Sequence, residues 1–203
     1  METPRSVLEE LPVRRELPNL MEPTSPFPTE ADLVAACRAG RRDAFDELVR
    51  RHYDRIHRLA YAMAGPEGAS DLAQETFLAA VRAFPSFRGE AQVGTWLVSI
   101  LRNQYTMWLR GRKRWRLATL EGEGERLPAP PPSTLEKGVR EILERVKDLP
   151  EELRTTLVLF YVDGLKYAEI AQAMECPIGT VRSRLFEARV RLKSLVEKND
   201  DLR

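Results

Sequence analysis

Apolar residues recur at steps of three and four along most of the chain, which is the spacing of one face of an α-helix. The longest such run lies between residues 43 and 63. Its apolar members are Phe45, Leu48, Val49, Tyr53, Ile56, Leu59, Ala60 and Met63. Alternation with a period of two, which is typical of half-buried strands, is scarce. The pattern therefore predicts an all-α protein.

The first half of the chain contains start and stop signals that divide it into four predicted helices. Thr29 followed by Asp32 resembles a capping box with Asp in place of Glu, and it opens a helix that ends near Gly40. Gly65-Pro66 ends the second helix, and Pro85 stops the third. The four predicted helices span residues 29–40, 43–63, 70–83 and 95–115.

The second half contains a similar series of signals. Ser133 and Glu136 form another capping-box pattern, which starts a helix that continues to Val146. Pro150 fits the first turn of the next helix, which ends near Gly164. Two further helices are predicted, with a short turn between them, over residues 167–174 and 179–198.

Two stretches lack the apolar content of a folded segment. Residues 1–28 are rich in proline and charged throughout, so they are predicted to be a disordered extension. Residues 117–134 contain several glutamates and a proline-rich run, so they are predicted to be a flexible acidic linker. The expected organisation is two small helical domains joined by this linker and followed by a short tail. The domains span residues 29–116 and 135–197, and the tail spans residues 198–203.

The overall charge is nearly balanced, with 32 Lys and Arg against 31 Asp and Glu and a formal net charge of +1. This balance excludes a uniformly basic nucleic-acid binder and an acidic disordered tail. It does not exclude local basic patches, because net charge says nothing about distribution.

Several absences point to a cytoplasmic protein. The N-terminal residues do not resemble a targeting signal, and the longest apolar run, residues 157–162, is too short to cross a bilayer. We therefore expect no membrane insertion. Cys37 and Cys176 are far apart, so neither a CxxC metal knuckle nor a disulfide scaffold is expected, and this usage fits a reducing compartment.

The strongest local signal is a pair of amphipathic segments near the C-terminus. Their apolar positions are Ala168, Ile170, Ala171 and Met174, then Val181, Leu185, Ala188 and Leu192. This pattern predicts a helix-turn-helix, whose second helix enters the major groove of DNA. Residues 179–193 hold five basic residues and one acid, Glu187. The alternative is a plain packing unit, and the basic face favours DNA binding.

The fourth predicted helix is both basic and aromatic. Residues 91–116 contain six basic residues and no acid, interleaved with Trp96, Tyr105, Trp108 and Trp115. Proteins that bind single-stranded nucleic acid use cations along the phosphate backbone and aromatic rings that stack on unpaired bases. The alternatives are that Trp96 belongs to the core and that residues 110–116 are a solvated helix end.

A third motif, residues 71–77 (DLAQETF), is by its chemistry only an acidic amphipathic helix start. Together with the residues that follow it, however, it resembles a known family. The stretch from Asp71 to Arg114 resembles region 2 of bacterial RNA polymerase sigma factors, and that from Leu149 to Leu192 resembles region 4. With no module between them, the chain is similar to the compact extracytoplasmic-function (ECF) subgroup.

The resemblance implies a role for each segment. It implies that region 2 binds core RNA polymerase through Asp71, Leu72, Gln74, Glu75 and Phe77. It implies contacts to the melted −10 promoter element, including a flipped base, from Phe87, Arg88, Gly89, Arg102, Asn103 and Arg110. It implies that region 4 binds the duplex −35 element through Thr180, Arg182, Ser183, Arg184, Phe186 and Arg189. An anti-sigma factor is a further implied partner.

Two other classes of protein fit the sequence less well. A free-standing transcription regulator would need the helix-turn-helix but neither the DLAQETF motif nor the aromatic-basic helix. An enzyme is disfavoured because no catalytic triad, metal-ligand or phosphate-loop pattern is present, and His52 and His57 have no partners at ligand spacing. We therefore expect no catalytic residue, no metal and no cofactor.

Overall fold

The computed structural model describes residues 26–119 and 145–200. Within those ranges it contains seven α-helices, one 3-10 turn at Phe84–Ser86 and no strand, which confirms the prediction of an all-α protein. The helices are α1 (Glu30–Arg38), α2 (Arg42–Ala64), α3 (Pro66–Ala83), α4 (Val93–Thr119), α5 (Glu151–Tyr161), α6 (Tyr167–Ala173) and α7 (Ile178–Asp200).

The start of α1 follows the predicted capping box. The Thr29 hydroxyl accepts a hydrogen bond from the Asp32 N–H at 3.1 Å, and the Asp32 carboxylate accepts one from the Thr29 N–H at 3.2 Å. These two bonds satisfy backbone donors that the first turn of a helix leaves without partners. The predicted capping box is therefore confirmed.

The start of α3 differs from its prediction, which placed it at residue 70. The helix begins at Pro66, directly after Gly65 ends α2 with a φ of 80°. Proline is well suited to the first position of a helix because its fixed φ is helical and its missing N–H would have no partner there. Gly65-Pro66 thus ends one helix and starts the next without a loop between them.

The fourth helix is longer than predicted and extends three residues past the expected domain boundary at residue 116. Leucine and alanine, which follow that boundary, are strong helix formers, so local propensity favours the extension. At its other end the Val93 N–H donates to the Glu30 carboxylate at 2.9 Å, which ties the start of α4 to α1. Residues 1–25, 120–144 and 201–203 lie outside the described residues. They include most of the predicted linker, the capping box at Ser133 and most of the helix predicted to continue to Val146.

The core of the first half forms where α2, α3 and α4 pack against one another. Its fully buried side chains include Leu48, Ile56, Leu59, Met63, Leu97, Leu101 and Tyr105. Tyr53 was expected on the buried face of α2, but its ring lies at the surface, stacked between His57 and Phe77. Trp96 packs against the core, as its alternative interpretation proposed.

In the described part of the second half, α5, α6 and α7 pack against one another. Its buried side chains include Leu159, Ile170, Val181 and Leu185. The turn between α6 and α7 contains Glu175 with a φ of 51°, a left-handed conformation that costs about 1–2 kcal/mol for a residue other than glycine. The helices α6 and α7 form the predicted helix-turn-helix.

The two halves also contact each other, although the sequence predicted only a flexible connection between them. The helix α5 packs against α2, and α6 packs against α4. The described part of the second half therefore lies directly on the described part of the first half.

Candidate nucleic-acid interface

A pocket of ≈ 280 Å³ lies beside the loop that joins α3 to α4. Phe87 forms one wall, with its ring 4.7 Å from that of Trp96 and 5.5 Å from that of Phe84, measured between centroids. The Arg38 guanidinium donates to the Phe87 carbonyl at 2.7 Å, which holds the loop against α1. The loop is therefore held in place by an aromatic cluster and by a hydrogen bond from α1, and not only by contacts within the loop.

The three loop residues predicted to contact DNA have different surroundings. The Phe87 ring is buried in the cluster, whereas Arg88 is exposed at the rim of the pocket. Gly89 has a φ of 78°, which a residue with a Cβ seldom adopts, and this conformation turns the chain behind Arg88. Arg88 is thus the member of the set whose charged group faces solvent, while the other two shape the loop.

The residues of α4 that were predicted to contact DNA also differ in their exposure to solvent. Asn103 and Arg110 are exposed, and Arg102 is half-buried. Arg112 lies over the Trp108 ring at 4.7 Å from its centroid and pairs with Glu67 at 3.3 Å. Trp108 is therefore engaged in packing between α3 and α4. Of the predicted DNA contacts on α4, Asn103 and Arg110 are the two that face solvent.

The residues predicted to bind polymerase fall into two groups on α3. Asp71, Gln74 and Glu75 are exposed, whereas Leu72 is 2% exposed and Phe77 is 7% exposed. The two apolar side chains thus lie in the core and support the surface from beneath.

Three other side chains supply the exposed apolar area next to that surface. Tyr53, Leu78 and Val81 are each about two-fifths exposed. Of these, Tyr53 was expected on the buried face of α2, because a periodic pattern does not distinguish the edge of an apolar stripe from its centre.

The helix-turn-helix presents a clear outward face on α7. Arg182 and Ser183 are exposed, and Phe186 is 70% exposed. Thr180, near the start of the helix, is half-buried. Glu187, which directly follows Phe186 in the sequence, pairs with Arg191 at 2.6 Å.

The other two predicted residues of α7 hold the helix in place. Arg184 pairs with Glu152 of α5 and lies 3.5 Å from the Cys176 sulfur. Arg189 donates to the Tyr161 hydroxyl at 2.9 Å and packs over the rings of Tyr161 and Phe160. Both guanidinium groups are therefore occupied by contacts within the domain.

The contact between the two halves was not predicted. Arg55 of α2 pairs with Asp163, which follows α5, and hydrogen bonding to Asp163 raises the pKa of Arg55. Arg154 of α5 donates to the Tyr105 hydroxyl inside the first half, and burial raises the pKa of Tyr105 to about 12. These partners are far apart along the chain, so no local pattern could have identified them.

Within residues 26–119 and 145–200, no helix is long and apolar enough to cross a bilayer, and no group of His, Cys, Asp and Glu side chains could hold a metal ion. What these ranges do contain is a helix-turn-helix with a polar outward face, and a pocket lined by the α3–α4 loop and α4 on one side and by Gln172, Ala173 and Glu175 on the other. A helix-turn-helix with a polar outward face is typical of helical DNA-binding proteins.

Comparison with known proteins identifies the family. The chain matches the family models described as Sigma-70 region 2, over residues 48–115, and Sigma-70, region 4, over residues 139–192. It is 32% identical over 181 residues to the ECF RNA polymerase sigma-E factor of Haemophilus influenzae, an alignment that covers 83% of this chain and 96% of the relative. The corresponding factor of Escherichia coli K12 is 34% identical over 181 residues, covering 83% of this chain and 95% of the relative.

Solved structures agree on the fold. The sigma factor RpoE of Bartonella quintana, solved with the anti-sigma factor NepR, has a TM-score of 0.64 at 24% identity, covering 75% of this chain and 96% of that one. CnrH, solved with the cytosolic domain of CnrY, has a TM-score of 0.62 at 23% identity, covering 82% and 96%. The chain belongs to the ECF RNA polymerase sigma-factor family. It is a transcription initiation factor and not an enzyme, and the predicted family is confirmed.

Proposed function

We propose that the two halves of this sigma factor divide promoter recognition between them. Residues 29–116 would bind core RNA polymerase and the melted −10 element, and residues 135–197 would bind the duplex −35 element. The observation that supports this division is that each half presents its own solvent-facing polar surface. One surface surrounds Arg88 at the pocket, and the other is the Arg182–Phe186 face of α7.

The pocket beside the α3–α4 loop suits an unpaired base. Removing a base from the stack costs a few kcal/mol, which contacts in a pocket must return. The Phe87–Trp96 cluster supplies a rigid apolar wall, and Arg88 supplies a cation at the rim for the backbone phosphate. Asn103 and Arg110 extend this surface along α4, with Arg102 beside them.

The outward face of α7 suits the major groove. Arg182 can donate two hydrogen bonds to a guanine, and the exposed Phe186 ring can contact a thymine methyl group. Ser183 and Thr180 can bind base edges or phosphates near the start of the helix. Arg184 and Arg189 act as positioning residues, because their guanidinium groups already bind α5 side chains.

The polymerase would contact the exposed acidic and amide side chains of α3, namely those of Asp71, Gln74 and Glu75. The neighbouring Leu78 adds apolar area, which a specific protein interface needs at its centre. Leu72 and Phe77 would act from the core by fixing the position of α3.

Two further features of the proposal rest on the relatives. Two structural neighbours were solved with an anti-sigma factor or the cytosolic domain of a partner protein, and we propose that this chain is controlled by an anti-sigma factor as well. We also place the protein in the cytoplasm, where a bacterial polymerase and its promoters are found.

The test is transcription in vitro with bacterial core RNA polymerase and a promoter library randomised at the −35 element. Wild-type protein should select defined sequences. The Arg182→Ala variant should lose about 1–3 kcal/mol of discrimination, or roughly 5- to 150-fold, at one or two positions. Arg41→Ala removes an equal charge from an exposed ion pair with Asp43, and neither residue belongs to the proposed DNA contacts, so this variant is the matched control. Absence of promoter-dependent initiation by wild-type protein would overturn the proposal, and unchanged selectivity of Arg182→Ala would remove that residue from it.

A further inference from the structure

An acidic side chain, Glu187, interrupts the outward face of α7. Residues 179–193 contain five basic residues and no other acid. The Glu187 side chain is 49% exposed. Positions three and four apart share one side of a helix, so Glu187 lies on the same side as Ser183 and Val190, which are both exposed. Glu187 therefore belongs to the face that we assign to the major groove.

The surrounding residues fix the direction in which Glu187 points. The helix α7 packs on α5 and α6. Leu185 and Ala188, which flank Phe186 and Glu187 in the sequence, are both buried. With its neighbours anchored on the two sides, the Glu187 side chain extends away from the domain, beside the Phe186 ring.

An arginine one turn further along α7 holds the Glu187 carboxylate. The Arg191 Nη2 atom lies 2.6 Å from Glu187 Oε1. A pair this exposed contributes little to folding, because water screens the charges and both side chains lose freedom. A carboxylate has two oxygens and about four acceptor sites, so pairing through Oε1 leaves capacity for a further donor. The paired carboxylate can therefore also accept a hydrogen bond from DNA.

The chemistry of the major groove selects the base that can supply this hydrogen bond. A carboxylate on a DNA-facing surface repels the phosphates of every sequence, so it is favourable only where a base edge offers a donor. Guanine presents two acceptors, and thymine presents an acceptor and a methyl group. Adenine presents a donor next to the N7 acceptor, which repels a carboxylate, whereas cytosine presents its N4 amino group. Cytosine is therefore the base that suits Glu187.

We propose that Glu187 is a specificity-determining residue of the −35 contact, whose carboxylate accepts a hydrogen bond from the N4 amino group of a cytosine. Arg191 is the positioning residue that directs this carboxylate. Sequences without the cytosine are rejected because they leave the carboxylate facing acceptors and phosphates with no donor. This assignment depends on the proposed function, because it assumes that α7 lies in the major groove of the −35 element.

The test is transcription in vitro with bacterial core RNA polymerase and a promoter library in which each randomised −35 sequence is linked to a transcribed barcode. Wild-type protein is compared with Glu187→Gln, Glu187→Ala and Arg191→Ala. The matched control is Asp43→Asn, because Asp43 also forms an exposed ion pair with an arginine but belongs to α2 rather than to α7. Unfolding of each variant is followed by circular dichroism.

The expected result is a change of base preference at one position of the −35 element. Wild-type protein should prefer cytosine there by about tenfold, and Glu187→Ala should bring the four bases to within about twofold of one another. Glu187→Gln should move the preference to adenine, because an amide can donate to N7 and accept from N6. Arg191→Ala should weaken the cytosine preference without changing the preferred base, and Asp43→Asn should match wild type.

A shift of base preference cannot come from a merely structural role. If Glu187→Ala lowers initiation from all promoters equally, together with a lower unfolding midpoint, the acid only stabilises the helix and the assignment is wrong. Identical base preferences in wild type, Glu187→Gln and Glu187→Ala would also overturn it, while leaving the proposed function intact. An unchanged profile for Arg191→Ala would remove only the positioning role. Failure of wild-type protein to select any −35 sequence would instead count against the proposed function.

Discussion

Gly68, on α3, lies where the Trp108 ring of α4 packs most closely. A Cβ added at this position would lie 2.7 Å from Trp108 Cζ2 and 3.0 Å from the Ala64 Cβ. Replacing glycine by alanine inside a helix ordinarily stabilises a protein by about 1 kcal/mol. Overpacking of a well-filled core costs about 1–3 kcal/mol, and the rigid indole ring cannot move aside without shifting Arg112, which packs on it. We therefore expect Gly68→Ala to destabilise the first half by about 1 kcal/mol.

Gly111 is the matched control, because it lies within α4 and a Cβ there would meet nothing within 4 Å. Gly111→Ala should stabilise the same half by up to about 1 kcal/mol. The assay is urea unfolding followed by tryptophan fluorescence. All three tryptophans of the chain, Trp96, Trp108 and Trp115, lie on α4, so the signal reports on the first half. The midpoints should move in opposite directions by about 0.5–1 M. If Gly68→Ala raises the midpoint as Gly111→Ala does, the packing argument is wrong.

Two further predictions concern the thiols and the recognition helix. Burial raises the pKa of the Cys37 thiol to about 11, so at pH 8 only about one thiol in a thousand is ionised, and Cys37 should react with iodoacetamide far more slowly than Cys176. Mass spectrometry of the labelled sites checks this, and equal labelling would contradict it. Phe186→Ala should reduce selectivity at a −35 thymine by about 1 kcal/mol without changing the midpoint of unfolding followed by circular dichroism, which also reports on the helices of the second half, because this ring is largely exposed. A loss of stability would show instead that the ring has a structural role.

The features that were predictable from the sequence are those with local causes. The Thr29–Asp32 capping box and the helix-turn-helix each depend on residues within one or two turns of each other, and the structure contains both. Pro66 was misinterpreted because the same dipeptide can end one helix or start another. Whether Gly65-Pro66 only ends α2 or also starts α3 depends on the packing of both helices rather than on local propensity.

The features that were missed depend on contacts between distant segments. Arg55 and Asp163 are 108 positions apart, and each alone is an ordinary charged residue in a polar stretch. Periodicity reports only which face of a helix is buried, so it placed Tyr53 on the buried face of α2 although this ring lies at the edge of the core. In the same way, it could not separate Arg182, which faces solvent, from Arg184, which binds α5.

The division of polar residues on α7 has a consequence for how promoter preference could change over time. Arg184 and Arg189 attach the helix to α5, whereas Arg182, Ser183 and Phe186 face outward and contribute little to folding. The outward positions can therefore be substituted one at a time while α7 keeps its contacts with α5. A set of descendants could diverge in the DNA sequence that each recognises while keeping the same scaffold, and a designer could exchange those three side chains for the same purpose.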